Sequence, residues 1–173
     1  MKGNIFLAFK ETIIKNFGEF KWKLIFSQTS FPKDFPLLKT EIYDDKYFFE
    51  LLDIAKKELN VDIKFLFNAF AEYFLFTYTP KNLSYVVENV KNSRDIFVNL
   101  DLIHETLSLS SSLEDIPRFE YKETGKATAI LIYKSKRKLY DLFHSMVLAV
   151  ANHYKDCEVE HLDENKLLIR YKS

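Results

Sequence analysis

Glycine is almost missing from this chain: its 173 residues include only Gly3, Gly18 and Gly125. Glycines so far apart cannot build a G-x-G-x-x-G turn or a Walker A loop, so the common phosphate-cradling nucleotide sites are excluded. The hydrolase elbow G-x-S-x-G and the zinc-protease motif H-E-x-x-H are also absent. Cys157 is the sole cysteine, which rules out an internal disulfide and any cysteine-cluster zinc or iron–sulfur site. Charge is balanced, with 25 Lys and Arg against 25 Asp and Glu, so the basic footprint of a nucleic-acid binder is lacking. No apolar run approaches the ~20 residues of a membrane span. Lys10 and Glu11 cut the apolar run at 5–9 short of a signal peptide, and Lys2 in place of glycine argues against myristoylation. These absences lead us to expect a cytoplasmic protein with neither a nucleic-acid nor a membrane partner.

Aromatic residues are plentiful. Seventeen Phe and ten Tyr stand among 47% hydrophobic residues, enough apolar material for a sizeable core. Such an excess suits a core wrapped around a large flat ligand, and it also follows from an AT-rich coding bias. The length predicts a single domain over residues 1–173.

Periodicity predicts an α+β fold, with a helical part over about residues 1–112 and a sheet-containing part over about 113–173. Phe6, Phe9, Ile13 and Phe17 define a first helix that Gly18 ends. A short helix follows at 20–26. Asp44-Asp45 and Asp62 can cap the next two helices, and Thr79-Pro80 ends or interrupts the second of these. A helix over 92–110 carries Ile96, Phe97, Leu100, Ile103 and Leu107 on one face, and Ser108 to Ser112 break it. Strands are expected at 117–122 and 127–133, a long helix at 136–154, and a closing hairpin around Asp163-Glu164-Asn165. The sheet is thus small, antiparallel and about four-stranded.

His104 sits beside the apolar stripe of its helix. A histidine there is commonly a core residue bonded to a carbonyl; equally, a packed helix is the rigid support that an axial imidazole needs. His144, His153 and His161 form no multi-histidine metal spacing. Tyr133, Ser135 and Arg137 alternate, so a strand running through them would present three donors and a guanidinium fork on one face, a set that suits carboxylates. Alternatively the strand ends there and Ser135 caps the following helix. Pro117, read by itself, ends a loop and starts a strand.

Met1-Lys2-Gly3, the segment from Asp101 to His104, Pro117-Arg118-Phe119, and Tyr-x-Ser-x-Arg at Tyr133, Ser135 and Arg137 together resemble the H-NOX family. These are the haem nitric oxide/oxygen-binding domains related to the haem domain of soluble guanylate cyclase. The resemblance spans nearly the whole chain. It implies haem b buried between the helical part and the sheet, with His104 as the iron ligand. It also implies that Tyr133, Ser135 and Arg137 hold the propionates and that Pro117 presses on and distorts the porphyrin.

By the same resemblance, oxygen-binding members carry a distal tyrosine five residues after the motif arginine, where this chain has Leu142. A supporting asparagine corresponds to Phe74, and a distal tryptophan to Phe9. Ile5, Phe9, Phe74, Leu142 and Met146 then form a mostly apolar distal wall, with no hydroxyl to stabilise the partial charge of bound O₂. The resemblance implies a non-enzymatic sensor of NO (and CO) that excludes O₂ and signals through the iron–His104 bond, acting in trans on a histidine kinase or a diguanylate cyclase. Tyr78, one turn after Phe74, is the residue through which an oxygen-binding member would arise. Its other reading is a core aromatic with its hydroxyl turned outward. A haem enzyme would want polar acid–base groups in the distal set. A haem-free module would use Tyr133, Ser135 and Arg137 to grip a carboxylate or phosphate. Cys157 by itself cannot hold the multi-cysteine zinc of some stand-alone relatives, so no such zinc is expected.

Overall fold

The computed structural model describes residues 1–32, 36–109 and 116–172. It divides into two compact units, Met1–Tyr78 and Thr79–Ser173.

The first unit is helical. Helix α1 (Gly3–Phe17) begins where the backbone leaves no room for a side chain: a Cβ on Gly3 would lie 1.9 Å from the Leu38 carbonyl oxygen. The Gly3 N–H donates to Glu41 O at 2.8 Å, and Lys2 bridges to Ile42. Gly18 (φ 87) ends α1 by donating to Ile14 O at 2.9 Å, and α2 (Glu19–Ser27) follows directly. Both predicted aspartate caps are present. Asp44 accepts from Lys46 N (2.9 Å) at the start of α3 (Asp45–Leu59), and Asp62 from Phe65 N (2.7 Å) at the start of α4 (Ile63–Tyr73). The core is aromatic: the Phe48 ring meets Phe6 and Phe9 edge-on, each at 5.6 Å.

Around Pro80 the helix is interrupted rather than ended, the second of the two outcomes expected there. Helical backbone continues as a wider π turn over Phe74–Tyr78 and then as α5 (Thr79–Asn82). Proline has no N–H to donate and crowds the carbonyl four residues back; a π turn relaxes that ladder without breaking it.

The second unit contains α5, α6 (Ser93–Leu109), α7 (Tyr140–Tyr154) and a four-stranded antiparallel sheet in the order β1-β2-β4-β3. The strands are β1 (Arg118–Gly125), β2 (Thr128–Lys134), β3 (Cys157–Asp163) and β4 (Lys166–Tyr171), so the closing hairpin turns where predicted. Helix α6 packs on β1 in the same compact unit as the sheet, and the sheet itself begins at Arg118. Of the serine break expected at 108–112, Ser108 falls within α6 and residues 110–112 lie outside the described residues. The long helix starts at Tyr140, not at 136. Lys138 adopts a left-handed backbone (φ 50), and α7 can propagate only beyond that reversal. Among the described residues, no helix is long and apolar enough to cross a membrane.

Candidate functional site

His104 lies on α6, half-buried, and its Nδ1 is 2.8 Å from Leu100 O one turn back. A carbonyl can only accept, so Nδ1 carries the proton and Nε2 keeps its lone pair. Burial pushes the imidazole below its usual range, while the Leu100 bond and the Asp101 charge oppose that shift. A neutral ring with one nitrogen oriented by a carbonyl and the other available is the form a metal ligand takes.

The helix that carries His104 is pinned to the sheet. Asp101, one turn before His104, accepts Arg118 Nε at 2.9 Å and Nη2 at 2.5 Å, and also the Phe119 N–H at 2.8 Å. The guanidinium beside Asp101 holds its carboxyl below the ordinary value, and the Phe119 N–H adds to that. The same strand start presents Phe119, whose ring centroid lies 4.5 Å from that of His104. Phe119 and Tyr133 are register partners across β1 and β2, with ring centroids 5.4 Å apart. Tyr133 in turn stacks on Phe143 of α7 at 5.3 Å and 15°. An aromatic chain therefore joins the predicted ligand to the first residue of the Tyr-x-Ser-x-Arg motif. Pro117 is half-buried and immediately precedes β1.

The motif itself is built differently from a continuous strand. Strand β2 ends at Lys134, and Ser135 to Arg137 form a turn in which Arg137 N donates to Ser135 Oγ at 3.2 Å and Lys138 N to Ser135 O at 3.3 Å. Ser135 therefore closes this turn and is not the cap of α7, whose cap position is Leu139. Ser135 and Arg137 both act on the Tyr133 hydroxyl. Burial raises the Tyr133 phenol, while a Ser135 hydrogen bond, the Leu139 backbone and the Arg137 charge pull it back. Leu142 and Met146 are one turn apart on α7, and both are half-buried.

In the helical unit, Phe9 is fully buried and meets Phe70 at 6.1 Å. Phe70 stacks on Phe74 (5.4 Å), and Phe74 on Tyr78 (5.9 Å, 13°). Ile5 lies one turn before Phe9 on α1 and is half-buried. Three of the four candidates from this unit are thus linked rings. Tyr78 is 3% exposed, and burial followed by the Glu11 charge raises its phenol. Glu11 also accepts from Tyr73 OH at 2.7 Å, and burial with that bond pushes Tyr73 up to about 12.

Sequence reasoning did not assign roles to Asp101, Arg118, Phe119 or Phe143. The signal for the first two was available: an acid one turn before His104 and a base immediately after Pro117. The ring contacts depend on strand register, which no local pattern supplies.

The haem-NO-binding family model matches residues 2–161, and the chain belongs to that family. Its fold is that of H-NOX structures. A triply substituted H-NOX protein from S. oneidensis in the Fe(II) ligation state is 20% identical, with a TM-score of 0.86, covering 100% of this chain and 97% of that one. An oxygen-binding H-NOX domain related to soluble guanylate cyclases, in its oxygen complex, is 19% identical with a TM-score of 0.85, covering 100% and 96%. The unliganded Fe(II) H-NOX protein from K. algicida is 20% identical with a TM-score of 0.82, covering 100% and 97%. The protein is therefore a domain of the haem-based gas-sensor family.

Proposed function

We propose that this domain binds haem b through His104 and senses NO, with CO as a second ligand and O₂ excluded. The observation that carries the reading is the Nδ1 bond of His104 to Leu100 O, which leaves Nε2 available on a helix braced against β1. When bound, haem would supply a ferrous iron able to take a diatomic gas. Tyr133, Ser135 and Arg137 would hold the propionates by hydroxyl donation and charge, and Pro117 would press on the ring.

The gas preference rests on side chains. Ile5, Phe9, Phe74, Leu142 and Met146 offer no donor to a bound gas. Tyr78 is buried and stacks on Phe74, which supports a role in the core. His104 would be the residue through which a gas bound at the haem acts on the protein. Asp101 and Arg118 couple α6 to β1, so a movement of α6 reaches the sheet. The domain works as a single sensor unit over residues 1–173 in the cytoplasm, without catalysis. Its output passes in trans to a histidine kinase or a diguanylate cyclase.

The test is the visible spectrum of dithionite-reduced protein, taken before NO, after NO, and after anaerobic NO removal and exposure to air. A five-coordinate ferrous spectrum that shifts with NO and gives no stable oxy bands is the expected result. Stable oxy bands that vanish in Tyr78→Phe would make this an oxygen-binding member. A protein with no Soret band from haem-replete cells would sink the haem reading and favour the carboxylate or phosphate module.

A further inference from the structure

Helix α6 meets β1 at two points of a single turn. Asp101 accepts the Phe119 N–H at 2.8 Å. His104, three residues on, lies against the Phe119 ring, with centroids 4.5 Å apart and planes at 44°. That separation is at the short end for a ring pair, so the two rings are in direct contact. One residue is thus held by its backbone and bears on the imidazole with its side chain. The Phe119 ring is itself backed by Tyr133 at 5.4 Å and Phe143 at 6.0 Å, which stack on each other at 5.3 Å and 15°. Both backing rings are buried, and they come from β2 and α7. A ring packed on two others in a close-packed interior has little room to yield.

The polar restraint on the imidazole is the Nδ1 bond to Leu100 O at 2.8 Å. One hydrogen bond fixes where Nδ1 sits, but its angular preference is broad, so the ring can still rock about it and swing Nε2. A flat ring in van der Waals contact closes one sense of that rocking. We propose that Phe119 is a positioning residue for His104: its ring is the stop that, together with the Leu100 bond, fixes the direction in which Nε2 points. The proposal rests on the reading of His104 as the iron ligand. Groups that orient a ligand from behind tune the bond it makes, so the side chain that sets the tilt of the imidazole also sets the strength of its bond to iron. The same contact ties that tilt to Tyr133, the register partner of Phe119 and the first residue of the hydroxyl–guanidinium motif. Leucine would fill much of the same space without a flat face, and tyrosine would keep the face.

The experiment is resonance Raman spectroscopy of the purified, dithionite-reduced full chain, reading the iron–imidazole stretching band, with Tm recorded for each protein. The variants are Phe119→Leu, Phe119→Tyr and Phe97→Leu. Phe97 is a fully buried ring two turns before His104 on α6, so it controls for lost packing alone. Phe119→Leu should shift or broaden the band, and Phe119→Tyr should leave it in place. Phe97→Leu should lower Tm at least as much as Phe119→Leu, with the band unmoved. A wild-type band in Phe119→Leu, or an equal shift in Phe119→Tyr or Phe97→Leu, would overturn the role. In the CO-bound wild type, nuclear Overhauser cross-peaks should join the ring protons of His104 and Phe119; their absence would remove the contact on which the stop depends. A wild-type protein without a Soret band is a separate outcome, seen before any substitution. It would remove the haem reading and, with it, the ligand that Phe119 positions.

Discussion

The two units hold their candidate residues by different physics. In the helical unit, Phe9, Phe74 and Tyr78 are parts of a ring network that also includes Phe6, Phe48 and Phe70, and they are positioned by packing. In the sheet-containing unit, His104 is positioned by polar bonds: its own to Leu100 O, and those from Asp101 to Arg118 and the Phe119 backbone. Packing is strong, undirected and shared among many contacts. A hydrogen bond is weaker in net stability but sets one ring in one orientation. A wall that must only be apolar can be built the first way; a ligand that must present one nitrogen needs the second.

Four substitutions test that contrast. His104→Ala should abolish the five-coordinate ferrous spectrum outright, and free imidazole should restore the spectrum but not signalling; absorption spectroscopy with a partner assay reads both. Unchanged signalling in the rescued variant would remove His104 from the switch. Phe48→Ala should lower stability by about 3–5 kcal/mol in denaturant unfolding, because the edge contacts with Phe6 and Phe9 vanish and a cavity remains. Asp101→Asn should lower it by only about 1 kcal/mol, since the Arg118 partner is half exposed to water. Its larger effect should fall on the haem spectrum. A stability loss equal to that of Phe48→Ala would erase the distinction between the units.

The smallest effect is expected at Glu120, which pairs with Lys122 at 2.8 Å and also with Lys134. These lysines pull its carboxyl from 4.5 down to about 2. A depressed carboxylate stabilises the fold above its ordinary value, and that contribution is lost as pH falls through the folded value. Glu120→Gln should therefore be slightly less stable than wild type at neutral pH. The two should converge between pH 4.5 and 2 in an acid titration followed by circular dichroism. A difference that persists at pH 2 would assign the effect to something other than charge.

Much of the local architecture was legible because it is set by neighbours in sequence. Asp44 and Asp62 cap their helices through N–H groups two or three residues away, and Gly18 ends α1 through a carbonyl four residues back. The closing hairpin followed from its turn residues and alternation. His104 was legible as a histidine beside an apolar stripe on a helix. The end of β2 was not. Tyr133, Ser135 and Arg137 alternate like a strand, yet Asn165 O takes the Tyr133 N–H and the chain then turns on Ser135. The π turn before Pro80 was also hidden, because the pattern reports that a proline strains a helix and not where the strain is absorbed.

The sequence by itself determined an α+β chain, one histidine on a helix and a hydroxyl–guanidinium motif downstream. These follow from residue chemistry and from periods of two and 3.6 residues. Only the tertiary structure decided that Asp101 grips Arg118 and that Phe119 meets His104. Each joins residues on different elements, and such contacts depend on strand register and helix packing, which form only when distant parts of the chain are brought together.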